Sequence, residues 1–183
     1  TDSLVRIPIG HVVGDSFSVT VRYAGEPKDG LIIRTDSSGR WTAFGDNWPN
    51  RARNWIPSID HPSDKATVTW TVRAPSVRRV VANGELMEET PLAGPPGSIP
   101  RTLTRWRESR PISPYLMVIA AAPLVYYDLG RDGCGVGEFS SCVRQSVYVF
   151  PESRDFLPGP YSHAPERVRL FSELLAPFPY DEL

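Results

Sequence analysis

Histidine, cysteine and lysine are scarce in this 183-residue chain, and each scarcity closes off a class of chemistry. The three histidines, His11, His61 and His163, lie far apart and none is followed by glutamate. No zinc helix with two imidazoles one turn apart is therefore encoded. Cys134 and Cys142 have neither further cysteines nor a matched histidine pair, so they form no zinc knuckle. No catalytic residue, metal site or cofactor is expected within these residues. Nucleophile signatures are missing as well: there is no G-x-S-x-G, and Ser140-Ser141-Cys142 has no nearby histidine. The glycine-rich stretch at 133–137 lacks the Lys-Ser/Thr ending of a phosphate loop and reads as a turn. Two lysines against 18 arginines leave a net charge of -1, which offers no electrostatic footprint for nucleic acid or an acidic membrane. The longest apolar run, residues 115–127, contains Pro123 and is far short of the roughly 20 residues that cross a bilayer as a helix.

What is abundant is alternation and punctuation. Residues 16–23, SFSVTVRY, place Phe17, Val19, Val21 and Tyr23 on one face and Ser16, Ser18, Thr20 and Arg22 on the other, the pattern of a half-buried strand. Residues 31–35 and 40–44 flank Asp36-Ser37-Ser38-Gly39, a hairpin loop by its small polar residues. Residues 66–73 alternate again, with Ala66, Val68, Trp70 and Val72 inward and three threonines outward. Asn83-Gly84 between 77–82 and 85–87 is a hairpin signal, since both central residues tolerate positive φ. Residues 101–108, 115–127 and 143–150 supply further strands, and the Pro/Gly loop 91–100 bows out between two paired ones. From Ser162 the period changes: Val168, Phe171, Leu174 and Leu175 fall at helical spacing, with Ser162 as N-cap, Pro165 in the first turn and an end before Pro177. The fold class read from this is all-β, a twisted antiparallel saddle-like sheet or β-sandwich with a short C-terminal helix. The division expected is a β domain over 1–161 and a junction helix over 162–183.

One segment is more specific than any of these patterns. Residues 44–65, FGDNWPNRARNWIPSIDHPSDK, set Arg53, Ile56, Pro57, Asp60, Pro62 and Lys65 at a spacing that resembles the M1 zinc aminopeptidases, in their non-catalytic N-terminal domain. Three more pieces follow in the same order: VVANGEL at 80–86, RPISPYLMVIAA at 110–121 and LFSELLAPFPYDEL at 170–183. The resemblance implies a fixed turn built on Arg53, Pro57, Asp60 and Pro62, with Arg53 and Asp60 as charge partners. It also implies that the loop before the turn reaches the free amine of a peptide substrate. Asp46 and Trp48 stand at the positions concerned, where family members more often carry Gln or Glu, so Asp46 is read as an acceptor and Trp48 as a subsite wall. The plainer alternative is an Asx-type turn at Asp46 and Asn47 with Trp48 packed on the core. The family's H-E-x-x-H helix and its Gly-x-Met-Glu-Asn segment are absent from the sequence. Zinc, peptide substrates and a catalytic domain are thus implied for the full-length enzyme, with that domain on the same polypeptide, and this chain is expected to be a piece cut at a domain boundary and inactive alone.

Asp60-His61 looks like half of an acid-base pair, but neighbours on an extended chain face opposite ways, so a structural turn is the preferred reading. Cys134 and Cys142 are close enough to bridge; closing so short a loop contributes roughly 2.5 kcal/mol. A bridge tilts the reading towards an exported or periplasmic protein, and two unpaired thiols on a cytosolic loop are the alternative. Thr1 is not methionine and no charged-then-apolar leader is present, so any signal peptide is expected to lie outside this sequence. The rival to the aminopeptidase reading is a free-standing β-sandwich module that binds carbohydrate or protein through Trp41, Trp48, Trp55 and Trp106 set out on its surface. An independent hydrolase has no motif behind it.

Overall fold

The computed structural model describes residues 4–8, 14, 16–132, 142–180 and 182–183. Nine strands are present among them, in three antiparallel groups. One sheet has the order β1 (Leu31–Thr35), β2 (Trp41–Gly45), β7 (Ile119–Ala122), β4 (Arg79–Ala82). A second has the order β3 (Ala66–Pro75), β6 (Arg101–Ile112), β5 (Glu85–Leu92), and β8 (Val125–Asp132) pairs with β9 (Val143–Val149) as a hairpin. The first two sheets pack face to face as a sandwich, through Ala43, Ala121 and Val80 from one and Ala74 from the other, with Leu31, Trp41 and Val72 at the margin. Small residues on both inner faces bring the sheets together, and Trp106 stitches them by donating its indole N–H to the Val80 carbonyl at 3.2 Å.

Much of the expected pattern is realised. Asp36 closes the β1–β2 loop by accepting from the backbone N–H of Ser38 and Arg40, and Gly39 takes the positive φ that the turn requires. In β3 the threonines face out while Val68, Trp70, Val72 and Ala74 face in, although Ala66 is exposed. The loop 93–100 separates two paired strands, and Pro91 sits at the end of the outer strand β5, where a missing N–H costs little.

Four expectations are corrected. Residues 16–23 have no assigned regular structure and join no ladder among the described residues, and Phe17, Val19, Val21 and Tyr23 are exposed; alternation prepares a strand but only a partner makes one. The strands beside Asn83-Gly84 do not pair with each other, since β4 joins β7 and β5 joins β6. The Asn83 side chain instead donates to Leu116 O and accepts from Val118 N–H, both at 2.8 Å, so the turn is a corner between sheets. Gly84 has positive φ and lies so close to the Arg107 carbonyl that a Cβ there would collide. The run 115–127 is broken into a 3-10 turn (Pro114–Leu116), β7 and β8, with Pro123 between strands of different sheets. The C-terminal helix α2 is Ala164–Leu174, with His163 in place of Ser162 at its N-cap, because a short helix α1 (Pro158–Tyr161) ends at Ser162.

After α2 the chain returns to the β8–β9 hairpin. Residue 182 bridges in parallel to Arg144 of β9, with Leu183 N–H donating to Arg144 O at 2.8 Å and Ser146 N–H to Leu183 O at 3.0 Å. The tail thus adds a short strand along β9.

Candidate functional site

The loop after β2 is held by side-chain hydrogen bonds to backbone and to other side chains. Gly45 lies against Val118, where a Cβ would clash, and this close approach brings the loop onto the segment before β7. Asn47, 1% exposed, is the nail. Its Nδ2 donates to Met117 O at 2.8 Å and Pro114 O at 3.4 Å, and its Oδ1 accepts from the Trp55 indole N–H at 2.7 Å. One buried amide therefore ties three segments together, satisfying both of its polar ends, which is what burial of such a group requires. Sequence reasoning gave Asn47 only a local Asx turn. Nothing local signals that its two carbonyl partners, on Pro114 and Met117, lie 67 and 70 residues away in the chain.

With Asn47 facing in, its neighbours face out. Trp48 is 62% exposed and meets Tyr115 edge to face at 5.1 Å. It does not pack into the core. Asp46 is half exposed, and its carboxylate is 2.8 Å from Arg51 Nη2. Arg51 also reaches Asp29 at 3.3 Å and donates from Nε to Trp48 O at 2.6 Å, so one guanidinium clamps both flanks of the loop. Asp46, Trp48 and Tyr115 make a small solvent-facing group, one carboxylate beside two rings, on a base fixed by Asn47 and Arg51. Such a group can accept from an ammonium and line an apolar side chain.

The turn behind it is closed by Asp60, whose side chain is 2% exposed. Its Oδ2 accepts from the Arg53 backbone N–H at 3.1 Å and from Nε at 3.2 Å, and Arg53 Nη2 donates to Asp60 O at 3.0 Å. Pro62 O accepts from Ser113 Oγ at 2.7 Å, linking the turn to the end of β6, while Pro57 lies beside Val5 and Val21 of the N-terminal segment. His61 bonds Ser63 in an exposed turn and His163 bonds Glu166 at 2.8 Å on the surface.

Among the described residues no group of three His, Cys, Asp or Glu side chains is arranged to hold a metal, and the donors present do not fit zinc. The expected bridge between Cys134 and Cys142 involves Cys134, which lies outside the described residues. The four tryptophans named as a surface array are not one: Trp106 is buried, Trp55 stacks on Trp70 at 5.5 Å, and Trp41 is half buried beneath the Arg78 guanidinium. Only Trp48 faces solvent broadly.

The Peptidase M1 N-terminal domain model matches residues 4–116. Among solved structures, the M1 zinc metallopeptidase from Deinococcus radiodurans is similar at 20% identity and TM-score 0.65, over 77% of this chain and 30% of that one. A mutant two-domain M1 zinc metallopeptidase bound to L-arginine aligns at 19% identity and TM-score 0.68, over 88% of this chain and 34% of that one. Its counterpart bound to L-tryptophan aligns at 22% and 0.66, over 86% and 34%. At these identities the likeness is one of fold. The chain spans about a third of the length of the solved structures it matches. No curated protein matches it.

Proposed function

The chain belongs to the Peptidase M1 N-terminal domain family, and from that premise we propose that it braces the catalytic domain of a zinc aminopeptidase and lines the cleft for peptide N-termini. The observation that carries this reading is the loop at 46–48. Asn47 is buried to fix it, and the fixing turns Asp46 and Trp48 outward beside Tyr115. Rigid support beneath a half-exposed carboxylate, an exposed indole and a partly exposed phenol ring is what positioning a ligand demands. Zinc would be held by residues beyond this chain, whose own part is orientation: Asp46 accepting from the substrate ammonium, Trp48 and Tyr115 flanking the first side chain.

The bracing role rests on α2. Val168 and Ser172 are buried where α2 packs on the β8–β9 hairpin, whereas Phe171, Leu174 and Leu175 are 57%, 69% and 81% exposed and Leu170 is exposed beside them. An apolar stripe of that extent is costly to leave in water, and a second domain would cover it.

The first test is to read the coding sequence beyond Leu183 for H-E-x-x-H; its absence would remove the reading. The second uses the full-length enzyme and an aminoacyl reporter. Trp48→Ala and Asp46→Asn should each raise KM about ten-fold with kcat little changed, the signature of lost substrate binding. Unaltered KM in both variants would show that the loop does not touch substrate.

A further inference from the structure

Between β4, β6, β9 and the C-terminal tail lies an open cavity of about 500 Å³, floored in part by Leu116 and Val118. Four aromatic residues line it: Trp106 and Tyr148, whose rings meet edge to face at 6.4 Å, and Phe178 and Tyr180, which pair at 5.8 Å. Two carboxylates line it as well. Glu108 sits in the inward row of β6 after Thr104 and Trp106, only 8% exposed, where strand alternation would ordinarily place an apolar residue. One of its oxygens accepts from the Arg110 N–H at 2.8 Å. Glu182 is brought to the rim by the tail's pairing with β9.

A carboxylate directed into an aromatic-walled cavity is poor company for a neutral apolar guest and good company for a cation, which gains from the ring faces and from the charge together. The charges around Glu182 are mixed. Arg144 of β9 approaches at 3.8 Å, beyond hydrogen-bond distance, and Arg131 of β8 also favours the anion, while Glu85 of β5 opposes it. Burial outweighs them and pushes the Glu182 carboxyl up from its ordinary value. The existing pair with Arg144 therefore does not fully compensate the desolvation, and a further cation would relieve it.

We propose that this cavity binds a small organic cation, an amine carried on an apolar stem, with the stem against Trp106, Tyr148, Phe178 and Tyr180 and the ammonium between Glu108 and Glu182. The site shares no residue with the loop of Asp46 and Trp48 and does not depend on the aminopeptidase reading.

The test is calorimetric titration of the purified chain with n-hexylamine at neutral pH, where it is an ammonium, and with n-hexanol, its neutral counterpart of similar length. The amine should bind at least about ten-fold more tightly than the alcohol. Glu182→Gln should lower amine affinity several-fold and leave the alcohol unaffected, with Glu108→Gln doing the same where thermal unfolding shows it folded. Glu182→Gln alone decides the matter if Glu108→Gln does not fold. Equal binding of amine and alcohol would reveal a merely apolar hole. That result, no binding of the amine, or an affinity indifferent to Glu182→Gln would each overturn the proposal.

Discussion

Two stretches of this chain read almost equally well as sequence and behave in opposite ways as structure. The turn region at 46–62 is irregular backbone, yet Asn47, Arg51, Arg53 and Asp60 satisfy its polar groups so fully that it is fixed in place. The segment at 16–23 has a regular alternating pattern, yet it forms no ladder among the described residues and exposes its apolar face. Its clearest tie to the rest is one hydrogen bond, from the Tyr23 hydroxyl to Trp55 O at 2.7 Å. The difference lies in where each kind of order gets its partners. A turn closed by side chains carries many of its own acceptors and donors, whereas a strand is stable only beside another strand.

The contrast breaks most forcefully at Asn47. Asn47→Ala strands the Trp55 indole N–H and the Met117 carbonyl in a buried place, and each unsatisfied group costs on the order of 1–3 kcal/mol. We expect a loss of about 3 kcal/mol in urea denaturation, together with increased quenching of tryptophan fluorescence as the loop loosens. A change under about 1 kcal/mol would mean that water replaces the amide at little cost and that the loop is not pinned there.

Asp60→Ala comes next, at about 2 kcal/mol. The carboxylate is buried but its partner is not: Arg53 is 45% exposed and its guanidinium rehydrates when the acid is removed. What stays stranded is chiefly the Arg53 backbone N–H. Asp60→Asn, which retains an acceptor oxygen, should recover roughly half of the loss. An unchanged denaturation midpoint in Asp60→Ala would show that the turn holds through its prolines and its link to Ser113 instead.

The same distinction explains what was legible in the sequence. The spacing of Arg53, Asp60 and Pro62 was visible because the Arg53 and Asp60 partners lie within ten residues, and the β1–β2 loop was visible because Asp36 bonds only its immediate successors. Asn83-Gly84 was legible as a turn but not as a sheet corner, since what decides its role is a carbonyl and an amide more than 30 residues on. Asn47 is the extreme case. In the candidate site, Asp46 and Trp48 were identified as residues but the side chain that orients them was not, and Tyr115 became part of the group only when the fold set it against Trp48.

The smallest expected effect tests the other half of the comparison. Phe17 and Val19 are 66% and 45% exposed, so replacing them removes little buried apolar surface from the described structure. At about 25 cal/mol per Å² of area removed from water, a side chain already in solvent contributes almost nothing, and polar surface substitutions usually fall within about 0.5 kcal/mol. Phe17→Ser with Val19→Thr should therefore leave the urea midpoint of this chain nearly unchanged. The pair should also raise its solubility, because it dilutes an exposed alternating apolar face that is prone to associate edge to edge. A loss above about 1.5 kcal/mol would show that the segment is packed in solution and that it differs from the 46–62 turn only in degree.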